Sequence, residues 1–134
     1  MVRNETFDPD HRILIESLSG EITADSLRET CEQRLENPRL EAATRLLTDE
    51  RAVTSYAVSG HDVREIAGEV RESAHLFEGK RWAFLVADQR TAALTLLFQQ
   101  VLRDALDIRV FSTPEAALDW LDAPPDIGFR LRAS

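Results

Sequence analysis

The chain has a single cysteine, Cys31, among 134 residues. That excludes an intrachain disulfide and any cysteine-rich zinc site. It has only five glycines. None falls in a dinucleotide fingerprint or a phosphate-binding loop, motifs that would stand out at so low a glycine content. No apolar run is long enough to span a bilayer. The opening residues, Met1-Val2-Arg3-Asn4-Glu5-Thr6, lack the apolar core of a signal peptide, so the expected location is cytoplasmic. Positive charge is scarce too: 16 Lys and Arg stand against 24 Asp and Glu, a net charge of -8. This balance disfavours nucleic acid or an anionic membrane as the main partner, since both need a basic patch.

What is present suits one small domain. A hydrophobic share of 43% is enough for one core, and 30% charged residues supply its surface. We expect the domain to span residues 1–122, with 123–134 as a C-terminal tail. Asp8-Pro9-Asp10-His11 is a turn signal between a short run at Glu5-Thr6-Phe7 and a strand at Arg12–Glu16, which predicts an N-terminal hairpin. Ser19-Gly20-Glu21 is expected to break that strand. Thr23 can cap a helix carrying Leu27, Cys31 and Leu35 at helical spacing, ended by Asn37-Pro38. Cys31 then faces inward as a structural thiol.

Thr44–Asp49 reads as a second core strand, followed by a polar loop from Glu50 to Val58. Ser59 and Asp62 form a capping-box pattern. The helix they open carries an apolar stripe of Val63, Ile66, Ala67, Val70, Ala74 and Phe77. Gly79 suits a left-handed cap. Trp82–Ala87 is continuously apolar, the signature of a strand buried on both faces, and is taken as the central strand. A helix from Thr91 to Leu106 follows, with no charge from Thr91 to Leu102. Its apolar residues cover more than one face, which predicts a homo-oligomer. Arg109-Val110-Phe111 belongs to a last strand. Thr113 and Pro114 then open a closing helix with Ala117, Leu118 and Leu121 on one side. In the tail, Ile127, Phe129 and Leu131 alternate with Gly128, Arg130 and Arg132. That period of two fits an edge strand, a segment docked on another subunit, or simple disorder. The alternation of strands and helices predicts an α/β fold with a mixed, mostly parallel sheet.

The pieces Arg12-Ile13-Leu14-Ile15, Arg45-Leu46-Leu47-Thr48-Asp49, Asp62–Ala67, Lys80–Val86 and Arg109–Leu121, in that order and spacing, resemble the SpoIIAA-like (STAS-type) family. The resemblance implies a β-α superhelix with neighbouring strands in sequence order. It implies a non-enzymatic regulatory or protein-interaction module with an unknown protein partner. The alternative is a carrier or sensor of a small apolar or anionic, lipid-like ligand. Ser59-Gly60 lies where anti-sigma-factor antagonists of the wider superfamily carry a phosphorylated serine, which makes Ser59 the candidate phosphorylation site. The acidic residue expected before it is absent, the preceding pair being Ala57-Val58.

For a ligand, the candidate site is the sheet edge where the loops after the strands gather beside helix N-termini. Arg51, Ser59, Asp88 and Arg90 are the residues singled out. Two arginines with free N–H groups could hold an anion. The competing reading pairs the arginines with carboxylates and uses the serine as a cap. His61, Asp62 and Glu65 share a helix surface, but a solvated face explains them better than a metal site. No serine sits in a nucleophile-elbow context. No catalytic residue, metal or cofactor is expected.

Overall fold

The computed structural model describes residues 1–124 and 126–127, and among these a strand pair and a helix pair are followed by strands and helices in alternation, five strands and five α-helices in all. The strands are β1 (Val2–Asp8), β2 (Ile13–Thr23), β3 (Arg45–Ala57), β4 (Arg81–Leu85) and β5 (Asp107–Phe111). The helices are α1 (Ala24–Glu36), α2 (Pro38–Ala42), α3 (Gly60–Arg71), α4 (Gln89–Leu102) and α5 (Pro114–Leu121). A 3-10 turn at Ala74–Phe77 precedes β4. The strands form one sheet in the order β1-β2-β3-β4-β5. β1 runs antiparallel to β2, and the other pairs are parallel. This is the expected mixed sheet with an N-terminal hairpin.

Local chemistry sets most element boundaries. The Asp8 carboxylate accepts from the backbone N–H of Asp10 and of His11 and so closes the hairpin turn. Thr23 and Ser59 each cap their helix in a reciprocal capping box. Thr113 caps α5, with Pro114 in the first turn. Gly79 has φ +76, the left-handed conformation that suits glycine after the 3-10 turn.

Alternation along the strands divides the core in two. Leu14, Leu46, Trp82, Phe84 and Ile108 face the layer of α1, α2, α3 and α4. Ile13, Leu47, Ala83 and Leu85 face α5, where Ala117, Leu118 and Leu121 cover them. On the larger side Trp82 stacks on Phe77 and Phe84, with Phe98 of α4 set edge-on.

The structure corrects several expectations. Ser19-Gly20-Glu21 does not break β2, which runs on to Thr23 with register shifts at Ser17/Ser19 and Gly20/Glu21. Gly20 absorbs one irregularity at φ +82. The stretch read as a polar loop from Glu50 is strand as far as Ala57, because the prolonged β2 pairs with it through Thr23↔Ala57. β3 is therefore the central strand, and β4 lies between β3 and β5. α3 ends at Arg71, and Phe77 reaches the core from the 3-10 turn instead. α4 ends at Leu102, and the fold takes up most of its apolar excess: Leu94, Phe98 and Leu102 are buried, Leu97 and Val101 partly so, and of its large apolar side chains only Leu96 is exposed. In the tail Ile127 is buried beside α5. Phe129 and Leu131, which carry the rest of the alternation, lie outside the described residues.

Candidate functional site

The end of β3 and the helix starts beside it hold the four residues singled out from sequence. Arg51 lies within β3, not in a loop. Its backbone N–H and Nε donate to Asp49 Oδ1, both at 3.0 Å, and Nη2 donates to Oδ2 at 2.8 Å. The bond to Asp49, followed in order by opposing burial, raises the pKa of the guanidinium. Ser59 is exposed, and its Oγ accepts from the N–H of Asp62 at 3.1 Å. The Asp62 carboxylate accepts in return from the N–H of Ser59, and these bonds hold its pKa below the usual range. Asp88 caps α4, accepting from the Thr91 N–H and hydroxyl, both at 2.8 Å. The first of those bonds leads in lowering its pKa. Arg90 donates Nε to the Tyr56 carbonyl at 3.2 Å and Nη2 to the Val58 carbonyl at 3.4 Å. Thus Arg90 ties α4 to the end of β3 just before Ser59. Among the described contacts none joins Arg51 to Arg90.

A second polar set lies under α1 and α4, and sequence reasoning missed it. Glu16 of β2 is fully buried. Its Oε1 accepts from Arg34 Nε of α1 at 2.8 Å and from the Thr48 hydroxyl at 3.0 Å. Its Oε2 accepts from Arg3 Nε at 3.1 Å and Nη2 at 2.8 Å. Trp82 Nε1 donates to Thr48 Oγ1 at 2.9 Å, and its ring lies 4.7 Å beneath the Arg34 guanidinium. Burial opposes ionisation of Glu16, but the charges and bonds of Arg34 and Arg3 outweigh it and lower the pKa. The same holds for Arg34: burial works against its charge, and Glu16 more than compensates. The Arg34 Nη1 also lies 3.7 Å from Cys31 Sγ, a cation beside the thiol that the sequence did not reveal. Burial still dominates there and pushes the thiol up, as befits a structural cysteine.

Glu50 of β3 is also buried in this set, only 2% exposed. Its Oε1 is 3.3 Å from the Thr95 hydroxyl of α4, and its Oε2 is buried with no hydrogen-bond partner. Burial pushes its pKa up to about 8. Glu50 lines a small pocket together with Cys31, Tyr56, Phe84 and Phe98. Alternation held a signal for Glu16, which falls on the same face as Leu14 and Leu18. Glu50 follows Leu46 and Thr48 in the same way, but only once β3 is known to continue past Asp49.

Elsewhere His61 is exposed and pairs with Glu65 at 3.5 Å along α3. Among the described residues there is no cluster of His, Cys, Asp and Glu able to hold a metal, and no helix long and apolar enough to cross a membrane.

A five-stranded mixed sheet with one antiparallel hairpin and parallel βα units beyond it defines an α/β protein of the SpoIIAA type. The chain belongs to the SpoIIAA-like family, whose sequence model matches residues 13–122. Two solved structures share the fold. One is the anti-sigma factor antagonist SpoIIAA in its unphosphorylated form, at 13% identity and TM-score 0.50, covering 92% of this chain and 100% of that one. The other is an uncharacterized DUF3478-family protein with a SpoIIAA-like fold from Shewanella loihica. It is 15% identical at TM-score 0.50, covering 90% of this chain and 92% of that one. No curated protein sequence matches the chain.

Proposed function

We propose that this chain is a non-enzymatic regulatory module of STAS type that works by binding another protein. The contact surface is the projecting half of β3 together with the start of α3. The observation that carries this reading is the mismatch in strand length. β4 pairs with β3 only as far as Asp49, whereas β3 continues to Ala57. Beyond Asp49, the β4-side edge of β3 has no strand partner among the described residues. An open strand edge offers backbone donors and acceptors to another chain. Thr54, Ser55, Ala57 and Ser59 are exposed along this stretch, while Val53, Tyr56 and Val58 anchor it in the core. Arg90 holds its end against α4, which makes the surface rigid.

SpoIIAA is described as an anti-sigma factor antagonist and as having an unphosphorylated form, which supports a role in protein contact. We propose Ser59, exposed at the start of α3, as a site of phosphorylation. A phosphate on Ser59 Oγ would stand against the Asp62 carboxylate, 3.2 Å from the Ser59 nitrogen, and open the capping box by like-charge repulsion. Modification would then reshape the surface at its centre.

The test is site-specific photo-crosslinking in the protein's own host. A photoreactive residue replacing Ser55 should give one discrete adduct with a second protein. The same residue replacing the exposed Glu78, beyond the other end of the sheet, should give none. Equal adducts from both positions, or none from Ser55, would remove the reading.

A further inference from the structure

At the end of the sheet where β3 and β4 begin, α1, α2 and the 3-10 turn border an open groove of about 660 Å³. Its floor is apolar, with Leu40 buried and Leu35 and Leu76 half-buried. Its rim carries the exposed Glu36, Glu41 and Glu78. α1 ends here too, at Glu36, and adds the negative end of its dipole. The nearby cations are engaged with backbone at the end of α2. Lys80 Nζ donates to the carbonyls of Ala43 and Glu41, and Arg12 Nε donates to the carbonyl of Ala42 at 2.9 Å. The ion pairs among the described residues use none of the three rim carboxylates. Three carboxylates thus line the groove with one ammonium, and Glu41 already feels that charge.

An occupant that fits is apolar on one side and cationic on the other, since charge complementarity selects partners and an apolar floor rewards burial. The chain carries a segment of that kind. Phe129 and Leu131 alternate with Arg130 and Arg132, and alternate residues of an extended segment face opposite ways. We propose that this segment docks in the groove of its own chain, with Phe129 and Leu131 on the apolar floor and Arg130 and Arg132 against the rim carboxylates. Guanidinium groups meet carboxylates through charge-assisted hydrogen bonds, which gives the fit direction as well as attraction. The groove lies at the opposite end of the sheet from the β3 contact surface, and the inference does not depend on that surface.

The segment starts within reach of the groove. Ile127 is buried with Ile13 in the core beside α5. α5 finishes at the same end of the sheet as the groove. Arg45 Nη1 donates to the carbonyls of Leu121 and Asp122 at 3.0 and 2.7 Å, and Arg81 Nη1 donates to that of Trp120 at 2.6 Å. Lys80, the residue before Arg81, lines the groove. An extended chain covers about 3.3–3.6 Å per residue, so residues 128–132 can span about 17 Å. That is enough to round the end of a sheet whose packed layers stand about 10 Å apart. The competing place is the sheet face at Asn4 and Ser17. It offers amide and hydroxyl groups, and the carboxylate next to Ser17, Asp49, already holds Arg51.

A nitroxide spin label tests this, attached to Ser134→Cys in the isotope-labelled full chain, where Cys31 is buried from the reagent. The label broadens amide signals of residues close to it. Leu35, Leu76 and Glu78 should broaden, and Asn4 and Ser17 should not. Arg130→Glu with Arg132→Glu should abolish the broadening. Adding Glu36→Arg and Glu41→Arg, both at exposed positions, should restore it. Raising the salt from about 0.1 M to about 1 M shortens the screening length from about 10 Å to about 3 Å and should weaken the effect. Unbroadened groove residues would overturn the proposal, as would broadening confined to Asn4 and Ser17. Broadening that survives both the charge reversal and the salt would overturn it too, since the arginines would then have no part. A mixture of spin-labelled chain without isotopes and isotope-labelled chain without the spin label should show no broadening. If it does, the occupant comes from a second copy and docking within one chain is wrong.

Discussion

Replacing Glu50 with Gln should stabilise the protein at neutral and alkaline pH and leave it unchanged in acid. The carboxyl rises from 4.5 in the unfolded chain to about 8 in the fold, with burial as the leading cause. Folding must therefore take up a proton at Glu50 between those two values. A group whose pKa is raised by folding gives its full stability below the unfolded value and loses it as pH rises through the folded one. At 1.36 kcal/mol for each pKa unit, the loss is about 3 kcal/mol at pH 7 and about 5 kcal/mol well above pH 8. Against a typical domain stability of about 5–15 kcal/mol this is large enough to measure. An amide at the same position has no ionisation to suppress and keeps both hydrogen-bonding roles. Urea unfolding of the two proteins from pH 4 to pH 9 is the assay. The curves should meet near pH 4 and separate steadily above pH 5, with wild type the less stable. Every other titratable group is common to both proteins, so the comparison isolates Glu50. Parallel curves across this range, or a Gln variant less stable at pH 8, would refute the placing of Glu50 as a buried neutral acid.

Other substitutions check the rest of the framework. Leu85 is fully buried between the sheet and α5, so Leu85→Ala should cost about 2–5 kcal/mol, while Glu72→Ala on the exposed end of α3 should stay within about 0.5 kcal/mol. Equal losses in urea would overturn the assignment of inside and outside. Arg34→Met leaves Glu16 without its α1 partner and should cost about 3–5 kcal/mol, with Arg3 alone unable to compensate. Ser59→Ala removes only a helix cap and should cost about 1 kcal/mol, whereas Ser59→Gly should cost a few tenths, a ranking that thermal melts resolve. Self-association, proposed from the apolar excess of α4, would have to use Leu96 with the half-buried Leu97 and Val101. Sedimentation should then give twice the 15.1 kDa chain mass, reduced to one chain by Leu96→Glu, and a single-chain mass for wild type would remove it.

The sequence by itself determined those features that depend on residues within one turn of each other. Thr23, Ser59 and Thr113 cap helices because the N–H groups they satisfy lie three residues away. The apolar stripe of α3 and the inward place of Cys31 follow from helical spacing, and the order of strands and helices was enough to indicate a mixed α/β sheet. The tertiary structure decided whatever needed a distant partner. The polar stretch after Asp49 has weak strand character of its own and becomes strand because β2 extends beside it. Glu16 meets Arg34 eighteen positions away, and Glu50 meets Thr95 forty-five away. Sequence pattern tends to place charged residues on the surface, since burying one unpaired is unfavourable. Whether a particular carboxylate finds a guanidinium, a hydroxyl or nothing depends on which helix packs over it. That choice is why Arg51 and Arg90, conspicuous in the sequence, serve as local ties, while the one unpartnered polar atom in the described core belongs to Glu50.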